Sequence, residues 1–221
     1  MNNEIFKSID EYIALRVANE DTALQQTSTS ISEANVADIS ISPVQGKMLQ
    51  VFAAACSAKR ILELGTFFAY STIWLARALP LNGKLISIEI DEHQTALAQK
   101  NIDNAQLSHL VELRTGKAID ILQEMINSDE PPFDLIFVDA DKPPYLEYFK
   151  LAIKLSRPGT IIICDNVIRN GAVLDENATD EKVMGVQRLN NYLITCNDVV
   201  ATILQTVGAK EYDGMVMAVV K

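Results

Sequence analysis

The sequence predicts an α/β fold: a mostly parallel sheet with helices on both faces and an antiparallel last strand. Three observations lead there. From residue 60, short β-branched runs alternate with stretches of helical period. Two of those runs, Phe133–Val138 and Thr160–Cys164, are almost wholly apolar, as strands buried on both faces are. The last two runs, Val199–Val207 and Met215–Val220, are joined only by Gly208 to Gly214, with no helix between them, which makes a hairpin.

The elements follow in order. Ile5, Ile9, Tyr12, Ile13 and Leu15 stand at helical spacing within residues 4–20. Residues 21–40 are rich in Thr, Ser, Gln and Asn and predict a mobile polar connection, whether lid, dimer arm or linker. Pro43 opens a helix that runs through Met48, Leu49, Phe52 and Ala53. Arg60–Leu64 is a strand ending at Gly65, Ser71–Leu79 a helix closed by Pro80 and Asn82-Gly83, and Lys84–Ile90 a second strand. Helix Gln94–Asn104, strand Leu110–Leu113, helix Ala118–Met125 and strand Phe133–Val138 come next. Helix Tyr145–Leu155 leads through Arg157-Pro158-Gly159 to strand Thr160–Cys164. Residues 167–185 read as a long polar insertion at the ligand edge, where long loops serve function. One domain is expected over 1–221, with 1–40 as an N-terminal helical extension or lid.

Composition narrows the class. A chain of 221 residues buries a sizeable core without staples. A net charge of −10 argues against nucleic acid and anionic membranes, which need a basic face. No run of apolar residues is long enough to span a bilayer. Cys56, Cys164 and Cys196 are an odd number without metal-like spacing and fit a reducing cytoplasm. The opening Met-Asn-Asn-Glu-Ile-Phe has neither a basic nor an apolar signal region, so no secretory signal is expected.

Acidic clusters stand where two apolar runs end: Asp139-Ala140-Asp141-Lys142 and Asp165-Asn166. Ligands of open α/β sheets sit beyond the carboxyl ends of the strands, so Asp139, Asp165 and Asn166 should converge at one edge. Three oxygen donors with no His or Cys suit a hard divalent cation such as Mg²⁺. Acids after strands also cap helices, and for one Asp alone that alternative is the better one. Cys164 should point to the opposite face from Asp165, into the core. His93 and His109 fall away from the acids and read as surface residues.

The first strand leads into Glu63-Leu64-Gly65-Thr66-Phe67-Phe68-Ala69-Tyr70-Ser71-Thr72. Glycine there lets a ligand approach the backbone, and the next helix offers free N–H groups. Glu89, closing the second strand, can accept from both ribose hydroxyls. Any nucleotide-binding α/β domain shares this much. The glycines of a dinucleotide binder, however, are missing, and Glu63 favours a cationic ligand over a pyrophosphate. S-adenosylmethionine carries an ammonium and a sulfonium.

Glu-Leu-Gly-Thr-x-x-x-Tyr-Ser-Thr, Ile-Glu-Ile-Asp, Val-Asp-Ala-Asp-Lys-Pro-x-Tyr, Asp-Asn and Gln-Thr-Val-Gly together resemble the cation-dependent O-methyltransferases. That family includes caffeoyl-CoA and catechol O-methyltransferases, and the bacterial members are the most similar. The resemblance covers about residues 40–221, in order. It departs at Ala69, where the family usually has glycine, which would slightly crowd the donor loop. It implies a Rossmann-like class I methyltransferase fold with a seven-stranded sheet.

The resemblance further implies that Asp139, Asp165 and Asn166 hold Mg²⁺, or Mn²⁺ or Ca²⁺, and that Lys142 is the general base with Asp139 beside it. Glu63, Gly65, Thr66, Ser71, Glu89, Ala118 and Asp141 match the family's S-adenosylmethionine contacts. The implied acceptor is a hydroxyl of a small catechol-like or hydroxycinnamoyl aromatic, and the implied assembly a homodimer. Tyr70 and Trp74 serve equally as core or pocket wall, and Arg169 and Arg188 as surface residues or contacts to an acidic acceptor. Two rival functions remain: a noncatalytic S-adenosylmethionine-binding dimer and a nicotinamide-dependent dehydrogenase.

Overall fold

The protein is described by a computed structural model over residues 3–210 and 212–221. Its strands are β1 (Arg60–Leu64), β2 (Lys84–Glu89), β3 (Val111–Thr115), β4 (Phe133–Val138), β5 (Ser156–Cys164), β6 (Val199–Thr206) and β7 (Asp213–Val220). They form one sheet in the order β3-β2-β1-β4-β5-β7-β6. Neighbours from β3 to β5 pair parallel, while β7 pairs antiparallel with both β5 and β6. The last strand in sequence is thus inserted between β5 and β6, and it alone runs against the rest. The expected hairpin is present; part of its Gly208–Gly214 connection, residue 211, lies outside the described residues.

The helices are α1 (Asn3–Val17), α2 (Thr22–Glu33), α3 (Pro43–Ala55), α4 (Tyr70–Ala76), α5 (Glu92–Asn104), α6 (Ala118–Asn127), α7 (Tyr145–Lys154) and α8 (Glu181–Leu193). None is long and apolar enough to cross a membrane. Alternate strand residues feed two cores. Ile61, Leu85, Leu135, Phe137 and Ile163 pack toward α2–α5, and Leu62, Leu64, Ile136, Val138 and Cys164 toward α6–α8. Cys164 is therefore a core residue, as its position beside Asp165 predicts.

Two expectations need correction. Residues 21–40 are not an open connection, because α2 occupies much of them. Asp21 caps that helix by accepting the Leu24 N–H at 3.2 Å. The Thr27, Thr29 and Ser32 hydroxyls donate to carbonyls one turn back, so the polar side chains remain within the helix. Leu24, Thr27 and Ile31 form its buried stripe. The 167–185 insertion is likewise partly ordered: a 3₁₀ segment spans Arg169–Leu174, and α8 begins at Glu181 under the Asp180 cap. Elsewhere boundaries move by a few residues. The capping box of Ser42 and Gln45 starts α3 at Pro43, as the proline indicates.

Candidate active site

Strand register assembles the site. Leu64 lies beside Ile88 and Val138, and Val138 beside Cys164. The next residue of each strand therefore falls on one row: Gly65, Glu89, Asp139 and Asp165. The ladder extends into that row, with Gly65 N donating to Ile88 O at 3.0 Å, Asp139 N to Leu64 O at 2.8 Å and Asp165 N to Val138 O at 3.0 Å. The sheet brings the nucleotide-type loop and both acidic clusters to a single edge.

On the β1–β2 side the chain turns sharply. Gly65, Phe67 and Ala69 have φ of 94°, 51° and 68°. The Glu89 carboxylate clips this loop down, accepting the Phe67 and Ile90 N–H groups at 2.8 Å and that of Asp91 at 3.1 Å. Glu63 lies beneath, wholly buried. It accepts the Ser71 and Ser87 hydroxyls at 2.6 Å and that of Thr72 at 2.5 Å. Thr66 Oγ1 is 2.6 Å from Ser87 Oγ, whose single proton already goes to Glu63, so Thr66 is the donor. Four hydroxyl protons thus run toward one carboxylate. Burial pushes the Glu63 pKa up to about 7 against the pull of these hydroxyls, and the charge of Asp139 adds to the rise. Ala118 opens α6, beyond the end of β3. Asp141 accepts the Tyr148 hydroxyl at 2.5 Å.

At the β4–β5 side, Lys142 is buried and its Nζ donates to Asp139 Oδ1 at 3.0 Å and to the Tyr145 hydroxyl at 2.5 Å. That hydroxyl lies 2.9 Å from Asp165 O and 3.1 Å from Val138 O, so Tyr145 ties the lysine to both strand ends. Gly185 of α8 presses on the same loop: a Cβ there would overlap the Lys142 carbonyl. Asp165 is only 2% exposed. Burial first, then the neighbouring charge of Asp139, pushes its pKa up to about 8, while Lys142 and the Asn166 N–H oppose the rise.

Two carboxylates and an amide share this end, and a buried Asp165 facing another carboxylate is a charge arrangement that a bound dication relieves. The donor set is all hard oxygen and fits Mg²⁺, Mn²⁺ or Ca²⁺. Among the described residues no cluster of three or more His, Cys, Asp or Glu could hold a metal, so a set built on Asp139 and Asp165 would need the Asn166 amide as well.

Asp139, Asp165 and Asn166 form the floor of a cleft of about 650 Å³. Ile39, Ile41, Val44 and Met48 give it an apolar wall, and Arg169, Lys210, Tyr212 and Asp213 a polar one. Asp10 and Asp38 reach it from the N-terminal segment: Asp10 accepts the Ala209 N–H at 2.9 Å, and Asp38 pairs with Lys210 at 3.1 Å. The donor-loop residues are not among those that line this cleft.

Several site residues escaped the sequence reading. Tyr145 was visible only as the last letter of Asp-Lys-Pro-x-Tyr. Ser87 looks like an ordinary polar residue of a strand, and Thr72 is only the last letter of Tyr-Ser-Thr. Asp213, which accepts the Ile168, Arg169 and Gly214 N–H groups at 2.8–2.9 Å, carried no signal at all. Trp74 is 2% exposed and lies over Gly46, and Tyr70 donates to Glu20 at 2.8 Å. Both are core residues. His93 and His109 are exposed, as expected.

Comparison with known proteins gives concordant results. The O-methyltransferase family model matches residues 15–220. A catechol O-methyltransferase of Niastella koreensis is 58% identical over the full length of both chains. An O-methyltransferase of Bacillus cereus, solved in complex with SAH, superposes with a TM-score of 0.96 at 44% identity, covering 99% of each chain. TomG of Streptomyces achromogenes, an O-methyltransferase of tomaymycin synthesis solved with SAM, gives 0.97 at 43%, covering 100% of this chain and 99% of its own.

Proposed function

The chain belongs to the O-methyltransferase family and is an S-adenosylmethionine-dependent O-methyltransferase, and from that premise we propose that it methylates a hydroxyl of a small catechol-like or hydroxycinnamoyl aromatic with the help of a divalent cation. Family membership displaces both rival readings, the noncatalytic binder and the dehydrogenase. The observation that carries the proposal is at the cleft: Asp139 and Asp165 in one row, Asn166 directly after it, and Lys142 Nζ 3.0 Å from Asp139.

In this reading Asp139, Asp165 and Asn166 would hold the cation. When bound, it would supply Lewis acidity that eases loss of the acceptor's hydroxyl proton. The apolar wall of Ile39, Ile41, Val44 and Met48 holds the aromatic ring. Lys142 acts as the free amine: it takes the hydroxyl proton and becomes an ammonium, which Asp139 and Tyr145 hold and aim. The freed oxygen then displaces sulfur at the methyl carbon: an O–C bond forms as the C–S bond breaks, leaving a thioether. The loop clipped by Glu89 positions the donor, and alignment of oxygen, carbon and sulfur supplies much of the rate.

The remaining parts of the reading have their own support. An apolar stripe on α1, with Ile5, Ile9 and Tyr12 each about half exposed, and exposed Val200 and Leu204 on β6 favour a homodimer. Asp10 and Asp38 at the cleft rim favour a lid role for residues 1–40. Three free cysteines favour the cytoplasm. The deciding experiment is methyl transfer to catechols and caffeoyl esters with Mg²⁺ and with EDTA. Turnover that EDTA leaves intact would refute the metal; donor binding without turnover on any aromatic would refute the acceptor class.

A further inference from the structure

Of the two arginines that sequence reading left open, only Arg169 meets the cleft. Arg188 pairs with Glu147 on the surface of α7 and α8. Arg169 lines the cleft together with Asp165 and Asn166. Its Nε is buried and has no hydrogen-bond partner among the described residues. The other cation of the cleft wall, Lys210, is engaged by Asp38. Among the described residues no carboxylate forms an ion pair with Arg169. A buried guanidinium N–H without an acceptor is costly, and in the wall of a cleft it is a donor that an entering ligand can satisfy.

The backbone holds this arginine deliberately. Arg169, Asn170 and Gly171 have φ of 53°, 54° and 87°. A run of positive φ that includes a long side chain persists only where its surroundings force it, and such strain gathers at ligand sites. Here Asp213 does the forcing by accepting the N–H groups of Ile168, Arg169 and Gly214. The arrangement fixes the Cα of Arg169 three residues from Asn166, at most about 11 Å along the chain.

We propose that Arg169 binds a carboxylate on the acceptor, so that the substrate class is a catechol bearing an acid on its ring or on a short side chain. The inference rests on the catechol reading above and names the substrate within it. A guanidinium offers a carboxylate two parallel N–H donors, a match that neutral catechols cannot use. An acid entering this cleft also meets Asp10, Asp38, Asp139, Asp165 and Asp213, and Arg169 is the cation placed to offset them. A volume of about 650 Å³ suits one ring with a short arm better than a coenzyme A thioester, whose anionic oxygens are phosphates.

The test compares catechol, 3,4-dihydroxybenzoate and caffeoyl-CoA as acceptors for the wild-type enzyme, Arg169→Asn and Arg169→Lys, with Mg²⁺ and S-adenosylmethionine saturating. Asparagine tolerates positive φ, so the loop should keep its shape, and an unchanged melting temperature verifies that. The expected result is a KM for dihydroxybenzoate raised at least ~10-fold in Arg169→Asn and partly restored in Arg169→Lys, with catechol KM and donor affinity unchanged. Equal effects on catechol and dihydroxybenzoate, or none on either, would overturn the inference and leave the catechol reading standing. A loss confined to caffeoyl-CoA would replace the carboxylate by a phosphate. No turnover of any acceptor would overturn both readings together.

Discussion

Gly65 stands against the backbone carbonyl of Asp139, and a Cβ at residue 65 would overlap that oxygen. The loop after β1 and the end of β4 therefore touch through backbone atoms that cannot rotate aside. Gly65→Ala must both abandon φ of 94° and push β4 away. The expected loss is more than about 2 kcal/mol of stability, with weaker donor binding and slower turnover together. Thermal unfolding and donor calorimetry would show it; a variant that unfolds and binds like the wild type would mean that β1 and β4 are not this close.

Ala69 sits in the same loop with φ of 68°, a conformation glycine adopts freely and alanine does not. Ala69→Gly is expected to stabilise the protein by roughly 0.5–1 kcal/mol, or a rise of about 1–4 °C in melting temperature for a chain of this size. Because the loop then reaches its bound shape without strain, donor affinity should rise or hold. A lower melting temperature would show that packing of the Ala69 methyl outweighs the backbone strain.

Glu63 should leave a mark on the pH dependence of stability. Its carboxyl is raised from 4.5 to about 7 on folding, chiefly by burial, so the folded state binds the proton more tightly. Its contribution is complete below about pH 4.5 and is lost as pH rises through about 7, a change on the order of 3 kcal/mol. Glu63→Gln removes the titration, and the difference between the two unfolding profiles should grow across that window. Parallel profiles from pH 4 to 8 would mean that Glu63 remains ionised in the folded protein.

Asp139→Asn or Asp165→Asn takes a charged donor from the cleft floor. Mg²⁺-dependent turnover should fall at least ~100-fold, equivalent to about 3 kcal/mol of transition-state stabilisation. The rise in melting temperature on adding Mg²⁺ should vanish as well, while donor affinity changes little. A variant that still gains stability from Mg²⁺ as the wild type does would place the cation elsewhere.

Tyr145, wholly buried, supports Lys142. Tyr145→Phe strips the ammonium of a hydrogen bond of 2.5 Å and leaves the Asp165 carbonyl short of a donor. The expected cost is about 1–3 kcal/mol in stability. Turnover should fall, because the lysine loses the neighbour that holds it in place, while donor affinity stays constant. Unchanged turnover in a variant of lowered stability would detach Tyr145 from the positioning of Lys142.

Much of this architecture was legible because local and global signals agree. The continuous apolar runs of β4 and β5 announce burial on both faces, and the acids that end them mark the working edge. What escaped depends on packing across the fold. The helix α2 looks like a loop because its Ser and Thr hydroxyls advertise turns; only the docking of Leu24 and Ile31 makes it helical. The helix α8 hid behind a polar insertion, and its Gly185 means close approach only once the Lys142 carbonyl is seen beside it. Glu63 suggested a donor contact, yet its oxygens are engaged by hydroxyls from β2 and α4, a partnership between residues far apart in sequence. Arg169 and Arg188 carry the same side chain in similar company, and only their three-dimensional neighbours tell them apart.

The bond from Ala209 to Asp10 joins residues 199 positions apart, across the mouth of the cleft. On the ribosome that bond cannot form until nearly the whole chain has emerged. The strands β1 to β4 and their helices are available long before, so the loop clipped by Glu89 can be complete while residues 205–213 of the cleft wall are still being made. Birth order thus separates the loop from the finished cleft in time. The first helix must wait for the last hairpin before Asp10 meets Ala209.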